Sequence, residues 1–230
     1  MKDANVRNGE IDSQELERQL SCPSGQTGIE VAKEMNETNM GMTLNTIDVL
    51  DLQDHQSVLE LGHGNCGHLN KLMAKASGIQ YSGLELSDTM FHEARRVNQN
   101  LVGDNERMFQ RYNGIDIPFE DDTFDRIMTV NTLYFWSSPA AFLNEIGRVL
   151  KPGGYCVIAY VQKEFMKKLP FVSDIFRLYD DNDLQELVGK SNLKLVQIVP
   201  GTEQVRIRSG ELVERTYSMA KLGKVFLSNT

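Results

Sequence analysis

A chain of 230 residues, 40% hydrophobic and 24% charged with six prolines, has the composition of a soluble globular protein large enough to bury one α/β core. Its formal net charge of −8, with no Lys/Arg-rich run, sets up a field that repels phosphate backbones and argues against a nucleic-acid partner. The cysteines Cys22, Cys66 and Cys156 are scattered, odd in number and without metal-ligand spacing. The longest apolar stretch, Tyr155–Val161, is too short to span a bilayer, so no membrane span, no metal and a cytoplasmic setting are expected.

Residues 1–28 are rich in charge, lack the apolar core of a signal peptide and end in the loop composition SCPSGQTG. A mobile N-terminal arm with room for one short helix is expected there. From 29 to 52 the pattern is helical but interrupted, with Ile47, Leu50 and Leu52 as its apolar edge. Short apolar runs then read as buried strands at Ser57–Leu61, Gln80–Leu84, Arg126–Val130 and Tyr155–Val161. Amphipathic segments separate them, carried by Leu69, Leu72 and Met73, by Met90, Ala94 and Val97, and by Phe142, Ile146, Val149 and Leu150. KPGG at 151–154 stops the third of these and turns into a strand.

That alternation predicts an α/β fold, a doubly wound, mostly parallel sheet with helices on both faces. Past Gln162, Asp183–Lys190 reads as a helix, and Leu193–Val199 and Leu212–Leu222 as strands, the last joining antiparallel. Residues 29–230 are expected to form one domain. Its cofactor-binding core would run from 57 to 161, with the substrate-side segment and last strands at 162–230.

The first stretch that carries chemistry is VLELGHGNCG, residues 58–67, where a buried strand runs into Gly62, His63, Gly64, Asn65, Cys66 and Gly67 before a helix. A tight strand-to-helix turn demands unusual φ, and a ligand must approach bare backbone, so glycines belong there. The next strand ends in Glu85, eighteen residues after Gly67. Neighbouring strand ends in a doubly wound sheet face one crevice, where a carboxylate can accept hydrogen bonds from both hydroxyls of a ribose. A structural turn and a solvated strand-end Glu are the plainer readings. Gly62, Gly64 and Gly67 also satisfy G-x-G-x-x-G, so a dinucleotide and a mononucleoside cofactor both stay open at this point.

The segment NGIDIPFEDDTFDRIMTVNTLYFW at 113–136 and the turn RVLKPGG at 148–154 resemble the class I S-adenosylmethionine-dependent methyltransferases. In particular they resemble the small-molecule branch that includes the ubiquinone and menaquinone C-methyltransferases, and the resemblance covers roughly residues 30–165 in order. The resemblance implies a Rossmann-like, seven-stranded sheet, S-adenosyl-L-methionine as cofactor and a small-molecule acceptor. It implies that Glu60, Gly62, His63 and Gly64 cup the methionine end, and that Glu85 holds the ribose with Leu86 and Met90 beside the adenine. Asn113, with the Gly114 and Ile115 backbone, would meet the adenine amine, and Asn131 would lie under the sulfonium.

There are departures from the family. Cys66 stands where its third glycine falls, His63 is bulkier than usual, and Asn113 replaces the usual Asp. A nicotinamide-dependent oxidoreductase is the rival enzyme, though Glu60, NGIDIPF and RVLKPGG have no role in it. A catalytically silent nucleoside-binding relative is the third reading.

On the acceptor side the resemblance points past the fourth strand to Tyr134 and Trp136. Tyr134 is the one candidate to hold or deprotonate a nucleophile, and the plainer alternative is that these aromatics pack under the next helix. Lys163–Tyr179 reads as a lid over an apolar acceptor or as a packed connector, and Met35–Met40 could close over the cofactor. His55, His68 and His92 offer no argument for ligation. The acceptor atom, the pathway and the oligomeric state are not legible.

Overall fold

Helices and strands alternate along the computed structural model, which describes residues 11–103, 107–206 and 210–224. Two helices lead: α1, Ser13–Ser21, and α2, Gly25–Val49. Then come β1, Ser57–Leu61; α3, Leu69–Met73; β2, Gln80–Glu85; α4, Asp88–Val97; α5, Gln99–Val102; and β3, Phe109–Arg111. They are followed by β4, Phe124–Val130; a 3-10 turn, Leu133–Phe135; α6, Pro139–Val149; β5, Leu150–Val161; and α7, Lys163–Met166. The last elements are α8, Asp181–Val188; β6, Leu193–Arg206; and β7, Leu212–Lys224.

Among the described residues seven strands form one sheet in the order β3-β2-β1-β4-β5-β7-β6, with only β7 reversed. The expected doubly wound α/β sheet with an antiparallel last strand is therefore the observed one. Its centre is apolar on both faces, as covered parallel strands must be: Val58, Leu59, Leu84, Ile127, Met128, Val157 and Ile158 have no exposed surface. Strand order reverses between β1 and β4, and a doubly wound sheet opens a crevice at the carboxyl ends of such strands. No helix among the described residues is long and apolar enough to cross a membrane.

Local chemistry sets the helix starts. Asp12 accepts from the Glu15 N–H at 2.8 Å at the head of α1, and Ser87 accepts from the Met90 N–H at 3.1 Å at the head of α4. Asp180 and Asp183 cap α8 reciprocally.

Three expected elements shift by more than two residues. The interrupted pattern over 29–52 is one continuous 25-residue helix, because α2 finds partners on several faces. It packs on α1 and α4 and across β4 to β7, so no single apolar stripe was needed. Strand β5 begins at Leu150, paired with Phe124, and the Pro-Gly-Gly turn makes an irregularity inside it. Strand β6 runs on to Arg206, where the sequence suggested Val199. Of the N-terminal arm, residues 1–10 lie outside the described residues, and α1 buries Leu16 and Gln19.

The extra length of β6 matters for the crevice. Strand β5 pairs with β7 only from Tyr217 to Gly223, whereas β6 and β7 stay paired out to Arg206 and Leu212. The outer hairpin therefore rises past the carboxyl end of β5. Arg215 of β7 faces Glu203 of β6 at 2.7 Å and reaches the Asn39 side chain at 2.7 Å and the Thr38 carbonyl at 2.9 Å on α2. This buried guanidinium joins hairpin to helix.

Candidate cofactor and acceptor site

A cavity of about 1100 Å³ opens at the strand-order reversal. Its floor is the carboxyl ends of β1, β2, β4 and β5, and its walls are α1, α2, the segment after β5 and the β6–β7 hairpin.

Strand β1 delivers the chain into the glycine loop, where Gly62 has φ 72° and Gly64 φ 56°. A side chain at Gly62 would lie 2.5 Å from Thr132 Cγ2, so conformation and space both require glycine there. At Gly64 nothing stands within 4 Å of the Cβ position, and the bare backbone faces open volume. Cys66 adopts φ 51°, a left-handed conformation that glycine would take without strain.

Glu85, at the end of β2, is buried and lines the cavity. One carboxylate oxygen accepts the Gly64 N–H at 2.9 Å, and the other accepts the Ser87 N–H at 2.9 Å. Each oxygen keeps a lone pair for a further donor. Ser87 Oγ also donates to the Pro23 carbonyl, and the Gly25 N–H donates to Thr89 Oγ1 at 3.1 Å. These bonds stitch the α1–α2 corner over this end of the crevice.

Leu86, Met90, Tyr112 and Gly114 complete that end, Met90 being buried on α4. Asn113 and Ile115 do not line the cavity. Asn113 Oδ1 accepts the Ile115 and Asp116 N–H groups at 2.8 Å each, and its amide donates to Asp116. Asn113 thus closes a local turn at the outer edge. Ile115 is 56% exposed and borders a separate hollow of about 300 Å³ with Ser138 and Ala141.

Beneath the loop lies a buried polar cluster. Glu60 Oε2 accepts the Tyr81 hydroxyl at 2.6 Å and meets His68 Nε2 at 2.9 Å, and Cys66 Sγ lies 3.2 Å from the Tyr81 hydroxyl. Burial acts to raise the Glu60 carboxyl, but the His68 charge and the hydrogen bonds from His68 and Tyr81 outweigh it and hold it below the usual carboxylate range. Burial acts to lower His68, and the Glu60 carboxylate more than reverses this, pushing it well above the usual imidazole value. The two form an ion pair inside the protein. His63 differs: burial lowers it, its Nδ1 is 2.7 Å from the Gly64 carbonyl, and its Nε2 has no partner.

At the other end, Asn131 ends β4 in the left-handed region, φ 59°, with its N–H on the Ala159 carbonyl at 2.9 Å. Tyr134 is buried, donates to Asn131 Oδ1 at 3.1 Å and accepts the Val161 N–H at 2.5 Å. Burial raises this hydroxyl above its ordinary value, so it serves as a buckle between β4 and β5. Tyr134→Phe should leave a buried N–H without its acceptor and lower unfolding free energy by about 1–3 kcal/mol. Denaturant unfolding measures this, and an unchanged midpoint would show that the buckle carries no load.

Trp136 is also buried, donates to Thr132 Oγ1 at 3.1 Å and stands edge-on to Phe142 at 4.8 Å. Both aromatics line the cavity while packing beneath it. The Lys163–Tyr179 segment likewise does both. Phe165, Leu169, Phe171 and Phe176 line the cavity, Phe176 stacks 4.9 Å from Phe135, and Met166 and Tyr179 are buried. Met35, Asn36, Thr38 and Asn39 of α2 line the same cavity.

Sequence reasoning missed Ser87, Tyr112, Thr132, Glu203 and Arg215. Ser87 carried a signal, since Ser before an apolar helical repeat marks an N-cap. The others carried none.

Residues 59–158 match the methyltransferase-domain family. An O-methyltransferase of Aspergillus sclerotiorum is 24% identical over 191 residues, 80% of this chain and 70% of that one. A demethylmenaquinone methyltransferase of Tropheryma whipplei is 33% identical over 124 residues, 54% of this chain and 48% of that one. The chain thus spans about half the length of the second relative. A solved S-adenosylmethionine-dependent methyltransferase from Methanosarcina mazei shares the fold, with a TM-score of 0.60 at 16% identity, covering 78% of this chain and 98% of that one. The matched residues, 59–158, hold the glycine loop and the strand-end acid at one crevice of the seven-stranded sheet, and over that stretch the chain is similar to the methyltransferase-domain family.

Proposed function

We propose that this protein transfers the methyl group of S-adenosylmethionine to a small, largely apolar acceptor. One observation carries the reading: a single cavity has a carboxylate and bare glycine backbone at one end and an aromatic wall at the other. Glu85 has a free lone pair on each oxygen for the ribose hydroxyls. Glu60, Gly62, His63 and Gly64 shape the loop for the methionine end. Leu86, Met90 and Gly114 flank the adenine and Asn131 lies at the sulfonium end, while Asn113 and Ile115 stand outside the cavity. Tyr134 and Trp136 lie toward the acceptor.

When bound, the cofactor supplies a methyl group already activated by its sulfonium. The chain's own part is to hold the acceptor in line and keep water out. Good alignment of this kind supplies on the order of 7–11 kcal/mol, so no elaborate catalytic set is required. The aromatic wall of Phe135, Phe171 and Phe176 suits a flat or long apolar acceptor. The free thiols Cys22, Cys66 and Cys156 fit a reducing compartment such as the cytoplasm.

Calorimetric titration with S-adenosylhomocysteine beside NAD is the first test, followed by transfer of labelled methyl to apolar carboxylic acids, phenols and quinols. Saturable S-adenosylhomocysteine binding and labelled apolar product are expected. NAD binding without S-adenosylhomocysteine binding makes the protein an oxidoreductase. Cofactor binding with no transfer to any acceptor leaves a silent binder.

A further inference from the structure

We propose that Glu60, Cys66 and His68 form a binding site for a zinc-type divalent cation beneath the glycine loop. This site goes beyond methyl transfer and does not depend on it.

A carboxylate oxygen, a thiol sulfur and an imidazole nitrogen from these three buried residues all lie within 4.8 Å of one another. Glu60 Oε2 is 2.9 Å from His68 Nε2 and 4.0 Å from Cys66 Sγ. A tetrahedral zinc holds its nitrogen, oxygen and sulfur donors roughly 3.3–3.6 Å apart, so the first pair must open and the second close by about half an ångström. Imidazole and thiolate with a single carboxylate suit zinc rather than magnesium or calcium, which take oxygen ligands.

An independent observation supports the site. The Gly64 carbonyl can only accept, so His63 carries its proton on Nδ1, 2.7 Å away. Its Nε2 is then a bare lone pair, buried and without any partner. A backbone carbonyl holding one ring nitrogen is also what orients a metal-bound imidazole.

That ring borders the cluster across Gly83, which pairs with Glu60 between β1 and β2. A side chain at Gly83 would lie 2.7 Å from His63 Cδ2 and 3.0 Å from the Tyr81 hydroxyl, the group that bonds Glu60. His63 Nε2 is therefore a candidate fourth donor, beside the Tyr81 hydroxyl that already contacts Glu60 and Cys66. Cys66 holds its left-handed backbone, φ 51°, where glycine would be more comfortable, and in doing so places its sulfur beside Glu60. A cation bound here would pin the loop from His63 to His68 to the end of β1.

The test uses the full chain stripped with a chelator and then titrated with Zn²⁺ against a chromophoric competitor. One equivalent should bind, and Cys66→Ser and His68→Gln should each weaken it more than tenfold. Co²⁺ then serves as a spectroscopic probe in a Cys22→Ser/Cys156→Ala chain, which leaves Cys66 as the sole thiol. A thiolate-to-cobalt charge-transfer band is expected there, and it decides the matter even if Cys66→Ser or His68→Gln fails to fold. No stoichiometric uptake, uptake undiminished in both variants, or a cobalt complex without the charge-transfer band would overturn the site.

Discussion

Replacing Glu85 with alanine should lower affinity for S-adenosylhomocysteine about a hundredfold or more, a loss of roughly 2.7 kcal/mol. Two effects add. The ligand loses charge-assisted hydrogen bonds, worth about 1.5–3 kcal/mol. The loop loses its tie as well, because the same carboxylate accepts the Gly64 and Ser87 N–H groups at 2.9 Å each. Glu85→Gln separates them: its amide group can keep one backbone acceptor but must turn a donor toward the other N–H. It should fall between wild type and alanine in calorimetry. An alanine variant that binds within threefold of wild type would remove Glu85 from the site and with it the ribose reading.

Arg215→Met should lower unfolding free energy by about 3–4 kcal/mol, read as a fall in denaturant midpoint. The guanidinium side chain is 7% exposed and the Glu203 side chain 17%, so water does little to replace a lost partner. The substitution strands the Glu203 carboxylate and frees the Thr38 carbonyl and Asn39 side chain. Replacing both members, as Glu203→Leu/Arg215→Met, should recover most of the loss, because a buried pair is costly to break but often neutral to replace with apolar groups. A single-variant cost below about 1 kcal/mol would mean that solvent screens the pair and the hairpin is not anchored through it.

The alternation of short apolar runs with amphipathic segments located β1, β2, β4 and β5 and so the central sheet. Strand β3 escaped because Phe109–Arg111 is three residues long, too few for any periodicity. The glycine loop and Glu85 were legible for a similar reason: their chemistry is local to one strand-turn-helix and the next strand end. Asn113 marks a limit of reading by position. Its place in the chain suggested adenine, whereas its oxygen already holds two backbone N–H groups of its own turn.

By itself the sequence determined the fold class, the crevice and the acid that faces it, since each follows from periodicity and turn chemistry within about thirty residues. Tertiary structure alone decided what meets across the crevice. Arg215 lies 176 positions from Asn39 yet donates to it, and Tyr134 reaches across 27 positions to the Val161 backbone. Cys66 and His68, unremarkable as spacings, converge on Glu60 only because the loop turns them back under the strand that carries it. Such contacts depend on how rigid elements stack, and packing leaves no period in a chain for a reader to find.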